Sequence, residues 1–236
     1  MTDYALYVES GPRRRKTMVH VIDLLGCIAQ GATTEAALAA TPEAIRAYLA
    51  VLKRHGEVVD PGADFTTTVA QHVMEGNWLA NGDPTPGFKP DFQPLEVNDL
   101  KVYTIRMDGL LDELLAQTRG LSPERTAAGP EAGGRSIDAI LRHTAGSQGV
   151  YLRYLVGKVD GLSEALKQAE TAEPGTLPLV LTRLWEVCRR RLEALTPEER
   201  SRSVPHGELT WTARRALRRM LEHPWEHIQE ISRRRT

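Results

Sequence analysis

Cysteine is scarce in this sequence: Cys27 and Cys188 are the two in 236 residues. Two thiols so far apart exclude a disulfide framework. An excess of one charge is also missing. Lys plus Arg number 30 against 31 Asp plus Glu, a net charge of -1, whereas nucleic-acid binders ordinarily carry a basic surplus. No apolar run approaches the roughly 18 residues of a membrane span. The opening "MTDYALYVES" lacks the basic stretch and apolar core of a secretory signal. These absences predict a cytoplasmic protein with neither nucleic acid nor membrane as a partner. What is present is ordinary globular composition, 41% hydrophobic and 26% charged, on a chain long enough for one large domain or two small ones.

The arginines are unevenly spread, in runs at 13–15 and 189–191 and densely from Arg214 to Arg235. They read as solvated helix faces and as charges suited to helix C-termini. Trp185, Trp211 and Trp225 read as packing residues rather than a stacking platform. Cys188 lies among arginines, which favours a thiolate, but Leu184 and Leu192 flank it at i−4 and i+4, which favours burial. Cys27 reads as structural.

The first 60 residues mix strand and helix. "YALYVE" (4–9), "TMVHVI" (17–22) and "CIAQG" (27–31) are rich enough in β-branched and aromatic residues to read as strands, with "SGPRRRK" as a turn. Thr33 can cap a following helix and Gly56 can end it. Thr41-Pro42-Glu43 reads as a second helix start, with a break there and the main helix over 42–55. Asp23-Leu24-Leu25-Gly26-Cys27, then Gly31, Thr33, Glu35, Ala36 and Ala37, and the closing Lys53-Arg54-His55-Gly56 carry a resemblance to the HicB-like antitoxin domain over about residues 3–60. The resemblance implies a small α/β domain at 1–60 that binds a protein partner. Residues 61–96, dense in proline and glycine, are expected to be a linker that packs down, with a short helix near "TTVAQHVM".

From residue 97 the pattern turns helical. Leu100, Tyr103, Met107, Leu110, Leu111, Leu114 and Leu115 recur at three- and four-residue steps, with Asn98 as cap and Gly120 as terminator. A second helix starts at Ser136, a third covers "LPLVLTRLWEVCRRRLEAL", and a fourth is entered at Thr212. The predicted fold class is α+β, mainly α: the small α/β domain, then a four-helix bundle over 97–236 with a long crossover of about 20 residues between helices two and three.

The last helix carries "RRMLEHPWEHIQEI", with His223 and His227 four apart on one face. Ala216, Met220, His223, His227 and Glu230 share a stripe. Arg214, Arg215, Arg218, Arg219 and Glu222 are expected to point mostly away. In the second helix Ile140, His143, Ser147, Val150 and Tyr154 share the expected inward face. Three imidazoles from two facing helices can converge on one cation, with zinc, nickel, iron or manganese all compatible with such a set. Pro224 is expected to bend or loosen its turn. The spacing is not the HExxH zincin pattern, because Pro224 stands where that motif has its glutamate. His20, His55, His72 and His206 have no partner at ligand spacing and read as surface or structural residues.

The stretches "SIDAILRHTAG" and "GELTWTARRALRRMLEHPWEHIQEI" resemble the DinB-like four-helix-bundle superfamily, over about residues 97–236. In that family one histidine of the second helix and an H-x3-H pair of the last bind a metal, which implies His143, His223 and His227 here. The resemblance implies a divalent metal, zinc or nickel first and iron or manganese next, and a low-molecular-weight thiol as cosubstrate. It also implies a homodimer. The expected function is a metal-dependent thiol S-transferase or a related hydrolytic enzyme acting on a small-molecule thiol or electrophile. Glu226, Glu222 and Asp138 are the candidate acceptors behind the histidines, and Tyr151 and Tyr154 the candidate pocket walls. The alternative is a non-catalytic module in which the first domain binds a protein and the metal is structural.

Overall fold

The computed structural model describes every residue except 13–15, 77, 82–85, 132 and 236, and only the backbone of residue 235. The middle of the expected turn "SGPRRRK" therefore lies outside the described residues. The chain divides into two compact units, Met1–Gln93 and Pro94–Thr236. Together they make a mainly α, α+β protein.

The first unit is a four-stranded sheet in the order β3-β2-β1-β4. Strands β1 (Thr2–Ser10), β2 (Thr17–Val21) and β3 (Cys27–Gly31) form an antiparallel meander. Helix α1 (Thr34–Arg54) then crosses to β4 (Phe65–Val73), which joins β1 in parallel. Thr33 caps α1 by accepting from the Ala36 amide, and Gly56 leaves it at φ +91°. The expected break at Pro42 is absent. The stripe Thr34, Ala37, Thr41, Ile45, Tyr48 and Leu52 is buried on both sides of the proline, so packing against the sheet holds one continuous helix.

The segment expected as a linker with a short helix belongs to this unit as far as Gln93 and carries a strand. Thr66, Thr67, Thr68 and Val69 are β-branched, which favours the pleated edge over a helical turn. Thr66 also donates to Asp3 of β1 at 2.6 Å. Further along, Phe88 is buried against Tyr7 and His20, and the Ala80 amide donates to buried Glu9, so this segment covers the sheet face that α1 leaves bare.

The second unit is built on α2 (Val97–Ala116), α4 (Ile137–Val156), α6 (Leu177–Glu193) and α8 (Ala213–Arg235). Each packs on two of the others, in the cyclic order α2–α8–α4–α6. Leu100, Tyr103, Met107, Leu110, Leu111 and Leu114 of α2 are buried, as their spacing predicts. Its N-cap is Glu96 rather than Asn98. Ser136 caps α4 through the Ala139 amide, and Thr212 enters α8 by accepting from the Arg215 amide.

Five described elements of this unit were not expected from the sequence. Short helices α3 (Pro123–Ala127) and α7 (Pro197–Ser201) begin with capping Ser122 and Thr196. A small hairpin pairs β5 (Val204–His206) with β6 (Leu209–Trp211). The long crossover is itself structured by α5 (Leu162–Thr171). Leu166 packs so closely on Gly149 that a Cβ there would lie 2.7 Å away. Arg142 of α4 donates to the carbonyls of Ala169, Glu170 and Ala172 and closes the end of α5. Among the described residues, no helix is long and apolar enough to cross a membrane.

Candidate metal centre

The register between α4 and α8 is set by a side chain that reaches a backbone. Pro224 has no N–H, so the carbonyl four residues back, on Met220, loses its helical donor. This turn is buried, and Gln148 of α4 supplies the replacement: its Nε2 donates to the Met220 oxygen at 2.7 Å. The helix runs on through Pro224.

One turn from that contact three histidines meet. The ring centroids of His143 and His223 are 4.8 Å apart, those of His143 and His227 5.2 Å, and those of His223 and His227 4.6 Å. Nε2 of His143 and Nε2 of His223 stand 3.1 Å apart. One ligand nitrogen from each ring can be chosen so that all three lie within 4.8 Å of one another. His223 and His227 are buried and His143 half-buried. Burial, and next the Arg135 charge, hold the His143 pKa down at about 4. Burial takes that of His223 to about 3, against the opposing pull of Glu226. Both rings are therefore neutral at pH 7, and each neutral imidazole has one lone pair that a cation can take.

The surroundings orient the rings. Glu230 Oε2 lies 2.7 Å from His227 Nδ1, which directs the other nitrogen, a buried Nε2 with no hydrogen-bond partner, toward the cluster. Ser147 donates to the His143 carbonyl and lies 3.1 Å from His223 Nε2. Of the three expected acceptors, Glu226 stands 3.7 Å from His223 Nδ1, beyond hydrogen-bond distance. Glu222 instead takes Arg218 and Arg219, each at 3.0 Å on one carboxylate oxygen. Asp138 lines a separate small cavity with Thr118, Leu141 and Pro178. Glu230 is the carboxylate that sequence reasoning did not assign, although it shares the stripe of His227 at i+3.

Tyr151 is buried, with its ring edge-on to His223 at 6.2 Å and stacked on Trp211 at 5.7 Å. Tyr154 is one step removed, packed between Trp211 and His206. The inward face of α4 is centred on Leu141, Thr144, Gln148, Tyr151 and Leu155. Val150, expected inward, is exposed, and His143 and Ser147 border that face. The larger correction concerns α8. Arg215, Arg218, Arg219 and Glu222, expected to point away, are buried. Arg215 lies over the Trp211 ring and Arg219 over the Tyr151 ring, so their charges are met by aromatic faces and by Glu222 rather than by water. Cys188 is a buried thiol whose pKa burial pushes up to about 12, and Cys27 is buried in β3.

No curated protein matches the chain. The solved structure of YfiT from Bacillus subtilis, described as a probable metal-dependent hydrolase with an unusual four-helix bundle topology, is similar at 20% identity and a TM-score of 0.49. The match covers 64% of this chain and 95% of that one. The family model of the DinB superfamily matches residues 106–231, from within α2 to the last turns of α8. That span is more than half of the chain and includes all three clustered histidines: the protein belongs to the DinB superfamily.

Proposed function

We propose that His143, His223 and His227 hold one divalent metal ion and that the bundle is a metal-dependent enzyme, a thiol S-transferase or a related hydrolase. The observation that carries this reading is a buried, unpartnered His227 Nε2 turned toward two other neutral imidazoles. A buried nitrogen without a partner costs about 1–3 kcal/mol, and a cation would remove that cost. The spacing fits such an ion. Three nitrogens at 2.0–2.1 Å from a tetrahedral centre stand about 3.3 Å apart, and one pair here is already at 3.1 Å. An all-imidazole set suits zinc or nickel, with iron or manganese next.

Three protein ligands leave a position for a reactant, and an ion so held makes a water or a thiol acidic enough to act as nucleophile at neutral pH. The chain's own residues do the rest. Glu230 fixes the tautomer of His227, and Gln148 keeps α4 in register with α8. Tyr151 walls the site beside His223. A low-molecular-weight thiol is the proposed cosubstrate and an electrophile its acceptor.

Metal content by emission spectroscopy, with a screen of thiol conjugation and ester hydrolysis with and without chelator, tests the reading. The wild-type chain should carry about one ion per protomer. His143→Ala should lose it while keeping its circular dichroism spectrum. Full metal retention in that variant refutes the ligand assignment. The competing reading keeps the metal as a structural pin and gives the first unit, as a HicB-like module, the task of binding a protein partner. It predicts that chelation lowers the melting temperature and abolishes no chemistry.

A further inference from the structure

A cleft of about 960 Å³ opens where the turn after α2, the loop entering α4 and the last turns of α8 come together. Three arginines line it, Arg125, Arg135 and Arg234, against one carboxylate, Glu131. Arg125 and Arg135 have no acidic partner among the described residues, and both are exposed. Arg234 is fixed in place, donating from Nη1 to the Arg135 carbonyl at 2.7 Å and from Nη2 to Glu230. Gly134, at φ +111°, lets the backbone pass close beside that guanidinium, and a Cβ there would lie 3.3 Å from Nη2. Ser136 and Ile137 also line the cleft, which puts the positive end of the α4 dipole in its wall.

The cleft is in register with the histidines. The two helices run antiparallel: Gln148 meets Met220, Ser147 meets His223, His143 meets His227, and Arg135 meets Arg234. Arg234 lies seven residues beyond His227 on α8, and its guanidinium and the His227 ring meet the same Glu230 carboxylate, so the cleft begins beside the cluster. Ile231, one turn beyond His227 on the same face, is part of the lining.

We infer that this cleft receives the carboxylate of a small organic substrate whose reacting end lies at the three histidines. The inference rests on the metal-centre reading for the reacting end, and on the arginines alone for the anchored end. Guanidinium forks match a carboxylate with two parallel hydrogen bonds. Two such forks and a helix N-terminus select an anion over its neutral analogue.

Titration calorimetry on the full, metal-free chain tests the anchored end without any turnover, using succinate, its neutral diamide succinamide, and inorganic phosphate. Succinate is expected to bind, succinamide not to bind, and phosphate to bind more weakly than succinate. Arg125→Gln and Arg135→Gln should each weaken succinate about tenfold, and raised salt should weaken it further. The Arg125→Gln/Arg135→Gln double variant should lose succinate while the chain still takes up about one metal ion per protomer, so the two readings fail separately. Absence of saturable succinate binding to the wild type overturns the inference. So does unchanged binding in the Arg125→Gln/Arg135→Gln double variant. Phosphate binding tighter than succinate overturns the carboxylate assignment.

Discussion

Pro42 and Pro224 both sit inside long helices, and each deprives one carbonyl of its helical donor in opposite surroundings. Pro42 is exposed on the outer side of α1, where water can serve that carbonyl. Pro224 is buried in α8, where water cannot, and Gln148 of α4 takes its place. The same contrast separates the two helices as wholes. In α1 an apolar stripe is buried and the charged residues lie outside it. In α8 the buried residues include Arg215, Arg218, Arg219, Glu222, His223 and His227. A helix that keeps this much polarity out of water incurs a desolvation cost that a simple scaffold avoids, and α8 is the helix that carries the site.

The largest break in this contrast comes from Glu222→Leu, which removes the carboxylate that two buried arginines share. It should cost about 3–5 kcal/mol in chemical denaturation. The matched change in α1, exposed Glu43→Leu, should fall within about 0.5 kcal/mol.

A smaller effect isolates the prolines. Gln148→Leu strands the Met220 carbonyl and should cost about 1–3 kcal/mol. In a Pro224→Ala background the helical N–H returns and most of that cost should vanish, giving a coupling of about 1 kcal/mol or more in a double-mutant cycle. Purely additive effects would mean that Gln148 does not replace the missing donor. Pro42→Ala has no such partner to release and should stabilise the protein by about 1–2 kcal/mol.

A separate test of the buried polarity of α8 and its neighbour lies in the pH profile. His143 and His223 titrate near 4 and 3 in the folded chain, below the ordinary 6.5 of an unfolded imidazole. Below pH 6.5 the unfolded chain therefore binds more protons than the folded one. Stability of the metal-free protein should fall as pH drops from about 6.5 toward 4, and should be flat in this respect above 7. His143→Gln should flatten the upper part of that fall. A profile unchanged by the substitution would mean that His143 does not titrate as its burial requires.

Much of this architecture is written in local pattern. Thr33, Ser136 and Thr212 start their helices, and the leucine ladder of α2 names its own buried face. The three histidines declare themselves by an i, i+4 pair and one stripe on a second helix. What was illegible has definite causes. β4 is an edge strand of threonines and polar residues between Pro/Gly-rich stretches, so no alternation marks it. α5 is short and depends on Arg142 from another helix for its end. The α8 arginines repeat as a solvated face would, and only tertiary contacts with Glu222, Trp211 and Tyr151 show that they are enclosed. Periodicity also placed Glu226 and Glu230 equally close to a histidine at i+3, and side-chain rotamers made the choice.

His143 and His223 are 80 residues apart in the chain and touch through their Nε2 atoms. No hairpin of neighbouring helices can bring them together: α5, α6, α7 and the β5–β6 hairpin all lie between α4 and α8 in the chain. The cluster is thus a long-range closure, and no fragment of the chain that stops short of α8 holds a complete ligand set.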